Sequence, residues 1–189
     1  THFSPADEIN LDTIARLKPV SAIDLEVPRA NSEPIEVDGV LYVTGGPSIV
    51  QAFEVETGKR LWRFEPDVDF SGTKARFAWG ARGLAYANGK VFVGAQDGQL
   101  FAIDAKTGKQ AWAVQTTQGR DDGRYITGAP RVFEGKVIIG HGGADFSAVR
   151  GYVTAYDAET GEQAWRFYTV PGDPAKGFED EAQAMAAKT

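Results

Sequence analysis

The chain has 189 residues, with 20 Lys and Arg against 26 Asp and Glu, so its formal net charge is −6. Nucleic-acid binding relies on clustered Lys and Arg that displace counterions, and here the basic residues are scattered singly among acids, which argues against a nucleic-acid partner. The absence of Cys excludes disulfides, thiolate zinc sites and cysteine nucleophiles, and no apolar run is long enough to span a membrane. With 22 Gly, 9 Pro and 42% hydrophobic residues, the composition favours a turn-rich β protein over a helical bundle.

A short helix is predicted near the N-terminus. Ser4 fits a helix N-cap and Pro5 fits the first helical position. The following residues INLDTIARL (9–17) place apolar side chains at helical spacing.

Three copies of one sequence pattern fill the middle of the chain. They read QAFEVETGKRLW at 51–62, FAIDAKTGKQAW at 101–112 and TAYDAETGEQAW at 154–165. Each follows a segment with an Asp-Gly, Asn-Gly or Glu-Gly step that predicts a hairpin turn, in VDGVLYVTGG (37–46), ANGKVFVGAQDG (87–98) and FEGKVIIGHGG (133–143).

The pattern predicts about four short strands per repeat, with the repeats centred on 37–66, 87–116 and 133–169. Four-stranded units at a period of roughly 50 residues are typical of β-propeller blades, so we predict an all-β fold. A propeller closes with four to eight blades, so three blades predict a chain that is incomplete, self-associating or open. A second short helix is predicted over the Ala-rich residues 178–189, leading towards a downstream region.

The tryptophans at the end of each copy are predicted to be structural. Trp62, Trp112 and Trp165 occupy equivalent positions and offer large flat faces for packing between blades. Stacking on a ligand is the alternative, but a ligand needs only one of them.

Several segments closely resemble the N-terminal part of the pyrroloquinoline-quinone (PQQ) dependent alcohol dehydrogenases. The most specific are ITGAPRV (126–132), GKVIIGHGGAD (135–145) and RGYVTAYDAETG (150–161), and the resemblance covers nearly the whole chain. It implies a portion of an eight-bladed propeller from a periplasmic enzyme that oxidises alcohols by hydride transfer to PQQ, with calcium polarising the quinone. The family's catalytic Asp, a calcium-binding Asn and a Trp beneath PQQ would lie downstream of residue 189, as would any haem c domain.

The resemblance also assigns site residues. Arg82 matches the Arg that pairs with a PQQ carboxylate, and Thr127 matches a hydroxyl donor to the cofactor. Gly142, Gly143 and Ala144 match a small-residue loop that approaches PQQ closely. Asp145 stands where the family has an acidic calcium ligand, which is usually Glu.

The sequence departs from the family pattern at three places. The adjacent cysteines of the family would fall at Arg76-Phe77, where Phe77 or Trp79 could cover the cofactor instead. A family Glu would fall near Asn31, with Glu33 two residues on. Ser147-Ala148 look inserted after the acidic ligand.

Simpler interpretations stand beside these assignments. Arg82 could form an ion pair with a neighbouring blade, Asp145 could be a solvated turn residue, and Thr127 could cap a turn. His141 has no partner at metal-ligand spacing, which favours a surface or packing role. The alternative function is a non-catalytic propeller scaffold with the same repeats.

Overall fold

Three four-stranded antiparallel sheets make up the fold. The computed structural model describes residues 7–69 and 80–188, and within them each sheet contains four strands that are consecutive in sequence and adjacent in space. Blade 1 comprises β1 (Ile35–Val37), β2 (Val40–Gly45), β3 (Ile49–Glu54) and β4 (Arg60–Phe64). Blade 2 comprises β5 (Ala85–Ala87), β6 (Lys90–Gly94), β7 (Gln99–Asp104) and β8 (Gln110–Gln115). Blade 3 comprises β9 (Arg131–Phe133), β10 (Lys136–Gly140), β11 (Tyr152–Asp157) and β12 (Gln163–Tyr168).

The first two strands of every blade are joined by the predicted two-residue turn. Both central residues have positive φ in all three turns, at Asp38-Gly39, Asn88-Gly89 and Glu134-Gly135. This backbone conformation twists in the same sense as the flanking strands and tolerates Asn or Asp before Gly. The meander of short strands confirms the prediction of an all-β protein built from propeller blades.

The Thr-Gly turns join the third and fourth strands. In blade 2, Asp104 Oδ1 accepts hydrogen bonds from Thr107 N at 2.8 Å and from Thr107 Oγ1 at 2.7 Å. These bonds lower the pKa of the Asp104 carboxyl, the side-chain bond contributing most. Gly108 then closes the turn with a φ of 72°.

Two of the three repeat tryptophans join one blade to the next. Trp62 donates from Nε1 to the Ala105 carbonyl at 2.9 Å, and a Cβ on Gly108 would lie 2.7 Å from the Trp62 ring. Trp112 repeats this arrangement on blade 3, where its Nε1 donates to the Ala158 carbonyl at 3.2 Å. Trp165 is 41% exposed. The predicted structural role therefore holds for Trp62 and Trp112. Self-association of the chain stays a prediction.

The core lies between the blades. One apolar cluster joins blades 1 and 2 and a second joins blades 2 and 3. Phe92, Leu100 and Ile126 are fully buried in the second cluster.

The flanking helices are shorter than their sequence patterns. Ser4 and Pro5 lie outside the described residues, and from residue 7 onward the N-terminal segment forms only a 3-10 turn at Ile14–Arg16. Asn10 Oδ1 accepts from Asp12 N at 3.0 Å and from Thr13 N at 3.2 Å, which offers the backbone a turn in place of a helix.

At the other end, a 3-10 turn at Pro174–Lys176 precedes helix α1 (Glu181–Ala186). Asp180 caps α1 by accepting from Gln183 N at 2.8 Å. Among the described residues, no helix is both long and apolar enough to cross a membrane.

Candidate functional site

Backbone hydrogen bonds bring together the segments that precede the first strand of each blade. Glu33 N donates to the Arg82 carbonyl at 3.1 Å, and Arg82 N donates to the Thr127 carbonyl at 2.8 Å. A parallel bridge between Glu33 and Gly83 continues the same contact. The fold thus places Arg82 and Thr127, which are 45 positions apart in the sequence, side by side in one row.

The loop that follows β10 reaches the same row. Tyr125 N donates to the Gly142 carbonyl at 3.2 Å, and Gly142 N donates to the Tyr125 carbonyl at 3.0 Å. Since Tyr125 is two residues from Thr127, this pairing brings the predicted small-residue loop next to the predicted hydroxyl donor.

Both glycines of that loop are required by contacts inside the protein. A Cβ on Gly142 would lie 2.7 Å from Tyr125 Cζ. Gly143 has a φ of 118°, and a Cβ there would lie 2.3 Å from the Gly123 carbonyl oxygen. The family resemblance implies small residues here because a cofactor approaches closely, and the structure gives a further reason in the packing of the loop itself.

Asp145 is exposed at the end of this loop, next to the exposed Ala144. Its Oδ1 accepts a hydrogen bond from Gly143 N at 3.3 Å, so the carboxylate is oriented by its own loop. Within residues 7–69 and 80–188, no three His, Cys, Asp or Glu side chains form a group that could hold a metal ion. Asp145 can therefore supply one hard oxygen ligand of the kind calcium prefers, and the other ligands would have to come from elsewhere.

Glu33 lies in the same backbone row, where its amide donates to the Arg82 carbonyl as the Arg82 amide donates to the Thr127 carbonyl. Asn31 lies two residues earlier, and both residues are exposed. The residues that match the family cysteines, Arg76-Phe77, and the nearby Trp79 lie outside the described part of the chain.

Tyr125 is a member of this site that sequence analysis missed. Burial is the main cause that raises the pKa of its hydroxyl, and the Asp145 carboxylate raises it further while Arg82 lowers it. The phenol is therefore electrostatically coupled to both predicted ligand-binding residues. The sequence could have indicated Tyr125 through its spacing, because residues two apart, such as Tyr125 and Thr127, lie on the same face of an extended segment.

A buried ion pair between Arg124 and Asp122 lies next to the loop 142–145. Arg124 Nη1 and Asp122 Oδ2 are 2.8 Å apart, and their side chains are only 8% and 4% exposed. Arg124 also donates from Nε and Nη2 to the Arg150 carbonyl, at 2.9 and 2.8 Å. Burial alone would raise the pKa of Asp122, but hydrogen bonds from the amides of Arg124 and Gln118, together with the Arg124 guanidinium, lower it below its ordinary value.

His141 lies between β10 and the loop and has a packing role. Its Nε2 is 2.7 Å from Thr116 Oγ1, and its ring is 4.8 Å from the ring of Tyr152. Burial is the main cause that lowers the pKa of His141 to about 4, so the imidazole is neutral at pH 7.

Comparisons with known proteins identify the family to which the chain belongs. Residues 1–189 match the PQQ family model for the β-propeller domain of glucose, ethanol and alcohol dehydrogenases. The chain is 48% identical to the quinohemoprotein alcohol dehydrogenase of Comamonas testosteroni over 191 residues, which is 100% of this chain and 27% of that protein. It is 47% identical to quinohemoprotein alcohol dehydrogenase ADH-IIG of Pseudomonas putida, over 99% of this chain and 26% of that protein.

Solved structures give the same result. The crystal structure of the Comamonas testosteroni enzyme matches with a TM-score of 0.90, over 99% of this chain and 28% of that one. A europium-containing methanol dehydrogenase matches with a TM-score of 0.82 at 33% identity, over 94% of this chain and 31% of that one. The chain therefore belongs to the family of PQQ-dependent alcohol dehydrogenases and spans about a quarter of the length of the curated relatives it matches.

Proposed function

We propose that this chain supplies the N-terminal blades of a PQQ- and calcium-dependent alcohol dehydrogenase and forms one wall of its cofactor site. The observation that carries the proposal is the row of backbone hydrogen bonds that joins Arg82 to Thr127 and, through Tyr125, to the loop 142–145. Segments in backbone contact thus carry a guanidinium, a hydroxyl and a carboxylate, which are groups suited to an anionic quinone and a hard cation.

Each residue has a defined task in this proposal. Arg82 binds a PQQ carboxylate, because its planar guanidinium can donate two parallel hydrogen bonds. Thr127 donates from its hydroxyl and fixes the orientation of the ring. Bound PQQ would supply the electron-accepting quinone that takes a hydride from the alcohol. We assign no catalytic base to this chain, so the role of its own residues is to bind PQQ and orient it.

Asp145 is the proposed metal ligand. Calcium takes six to eight oxygen ligands and accepts carboxylates readily, so one Asp is a partial set. The europium-containing relative binds another hard cation, which fits the same oxygen chemistry. A periplasmic location, an alcohol as substrate, an electron acceptor and a haem c domain belong to the proposal for the whole protein. Two relatives are named quinohemoproteins, which supports the proposal of a haem c domain.

A hybrid enzyme tests the proposal. In it, this chain replaces the 191 matching residues of the Comamonas testosteroni relative. The apoenzyme is titrated with PQQ, with and without calcium, and tryptophan fluorescence reports the dissociation constant. The isolated chain is titrated in parallel.

We expect saturable, calcium-dependent quenching by the hybrid. Arg82→Ala should weaken PQQ binding roughly tenfold or more, because hydrogen bonds to a charged partner contribute about 1.5–3 kcal/mol. Arg16→Ala is the matched control, because Arg16 is exposed in the N-terminal segment and far from the row in sequence. A hybrid that folds but binds no PQQ would favour the alternative of a non-catalytic scaffold.

A further inference from the structure

The segment from Arg124 to Thr127 has two distinct faces. Ile126 is fully buried, and a Cβ on Gly94 would lie 2.4 Å from Ile126 Cγ2, so this side chain points into blade 2. Arg124 is also buried, at 7% exposure. Because side chains alternate in extended backbone, Tyr125 and Thr127 project together from the opposite face, where Thr127 is a predicted cofactor contact.

The ring of Tyr125 is held in place by the loop after β10. It lies against Gly142, where a Cβ would be 2.7 Å from Cε2 and Cζ and 2.9 Å from the hydroxyl oxygen. The two backbone hydrogen bonds between Tyr125 and Gly142 fix the ring over that glycine. The absence of a side chain at position 142 thus creates the space that the ring of Tyr125 occupies.

The hydroxyl of Tyr125 is coupled to the two charged residues of the site. Asp145 disfavours its ionisation and Arg82 favours it, and burial makes the larger contribution, so the net effect raises its pKa. The phenol therefore remains protonated at neutral pH and can donate one hydrogen bond. Both charged residues are exposed, which leaves the same region open to a ligand.

We propose that Tyr125 contacts the cofactor directly, its hydroxyl donating a hydrogen bond to the anionic oxygen group that Arg82 binds. This inference rests on the proposed PQQ site and adds a residue to it. A neutral donor beside a guanidinium binds the carboxylate without adding charge, and the packed ring gives that donor a fixed position. Tyr125 would thereby favour ligands with a carboxylate at this position over uncharged quinones.

The experiment compares Tyr125→Phe with Tyr86→Phe in the hybrid enzyme. The Tyr125→Phe substitution keeps an aromatic ring over Gly142 and removes only the hydroxyl, whereas Tyr86 lies on β5 and packs against Tyr42, with 5.8 Å between ring centroids. The measurements are the PQQ dissociation constant, the calcium requirement and the midpoint of thermal unfolding of the apoenzyme. A quinone that lacks carboxylates is titrated as a second probe.

We expect Tyr125→Phe to weaken PQQ binding roughly tenfold, with binding of the uncharged quinone and apoenzyme unfolding unchanged. Tyr86→Phe should leave PQQ affinity at the wild-type value. Wild-type affinity in Tyr125→Phe would overturn this inference alone, and so would a change confined to the calcium requirement, since the hydroxyl would then serve Asp145. If the unsubstituted hybrid bound no PQQ, the proposed function and the role of Tyr125 would both be wrong.

Discussion

Replacing Trp112 by Ala tests whether the tryptophan contacts hold the blades together. The Trp112 ring packs over Gly161, where a Cβ would lie 2.9 Å from Cδ2, and it lies 5.8 Å from the ring of Phe92. Its Nε1 donates to the Ala158 carbonyl at 3.2 Å. The substitution removes the apolar contact and the hydrogen bond between blades 2 and 3 together.

The magnitude follows from the buried area. A partly buried Trp removes roughly 150 Å² from water, which is about 3–4 kcal/mol at 25 cal/mol/Å² and about 2–3 kcal/mol after allowing for a compact unfolded state. The lost hydrogen bond adds about 1 kcal/mol. We therefore expect Trp112→Ala to lower the free energy of unfolding by about 3–4 kcal/mol.

Trp165 provides a matched control at the equivalent position of blade 3. It is 41% exposed, and no hydrogen bond of its indole occurs within the described residues. Trp165→Ala should cost about 1–2 kcal/mol, since less area is lost and no hydrogen bond is broken. Urea unfolding of the two variants, followed by circular dichroism, measures the difference. Equal losses in the two variants would refute the reasoning, because the contact with the next blade would then contribute nothing.

Two further predictions concern Arg124 and His141, which lie next to the loop 142–145. Arg124→Gln should destabilise the chain by about 3–5 kcal/mol in urea unfolding, because it leaves Asp122 buried without its partner, whereas Arg60→Gln at an exposed ion pair should cost less than about 1 kcal/mol. A similar loss of unfolding free energy in Arg124→Gln and Arg60→Gln would contradict the assignment of the Arg124–Asp122 pair as buried. His141 has a folded pKa of about 4, below its ordinary 6.5, so the unfolded state takes up the proton first and stability should fall as the pH drops from about 6.5 to about 4. Proton NMR should show His141 titrating near pH 4, with His2 as the second histidine signal, and His141→Asn should flatten the stability profile over that interval.

The blades could be predicted because their signals are local. A two-residue step such as Asn88-Gly89 determines a hairpin through its own backbone preferences, and Asp104 with Thr107 forms a turn within four residues. All three blades have the two-residue hairpin turn, and blade 3 repeats the Asp–Thr turn with Asp157 and Thr160. The resemblance to a known family then supplied site residues that neither turn chemistry nor periodicity could identify.

The arrangement of the site depends on contacts between distant parts of the chain. Nothing in the sequence around Arg82 indicates that its amide pairs with the carbonyl of Thr127. Likewise, Tyr125 looks like an ordinary β residue until Gly142 is seen beneath its ring. Positions such as these are determined by tertiary pairing, so single-sequence reasoning finds the residue types and not their neighbours.

The segment before blade 1 shows which part of a blade the preceding segment of the chain packs against. Ile23, Leu25 and Val27 are partly buried and alternate with exposed residues, as in a strand. A Cβ on Gly58 would lie 3.8 Å from Ile23 Cγ1, so Ile23 sits over the Thr-Gly turn of blade 1 as Trp62 sits over that of blade 2. Gln51 Nε2 also donates to the Leu25 carbonyl at 2.6 Å. The repeat pattern did not predict this contact because its docking residue is a tryptophan. The glycine turn is the common element, and an aliphatic side chain can replace the ring that packs on it.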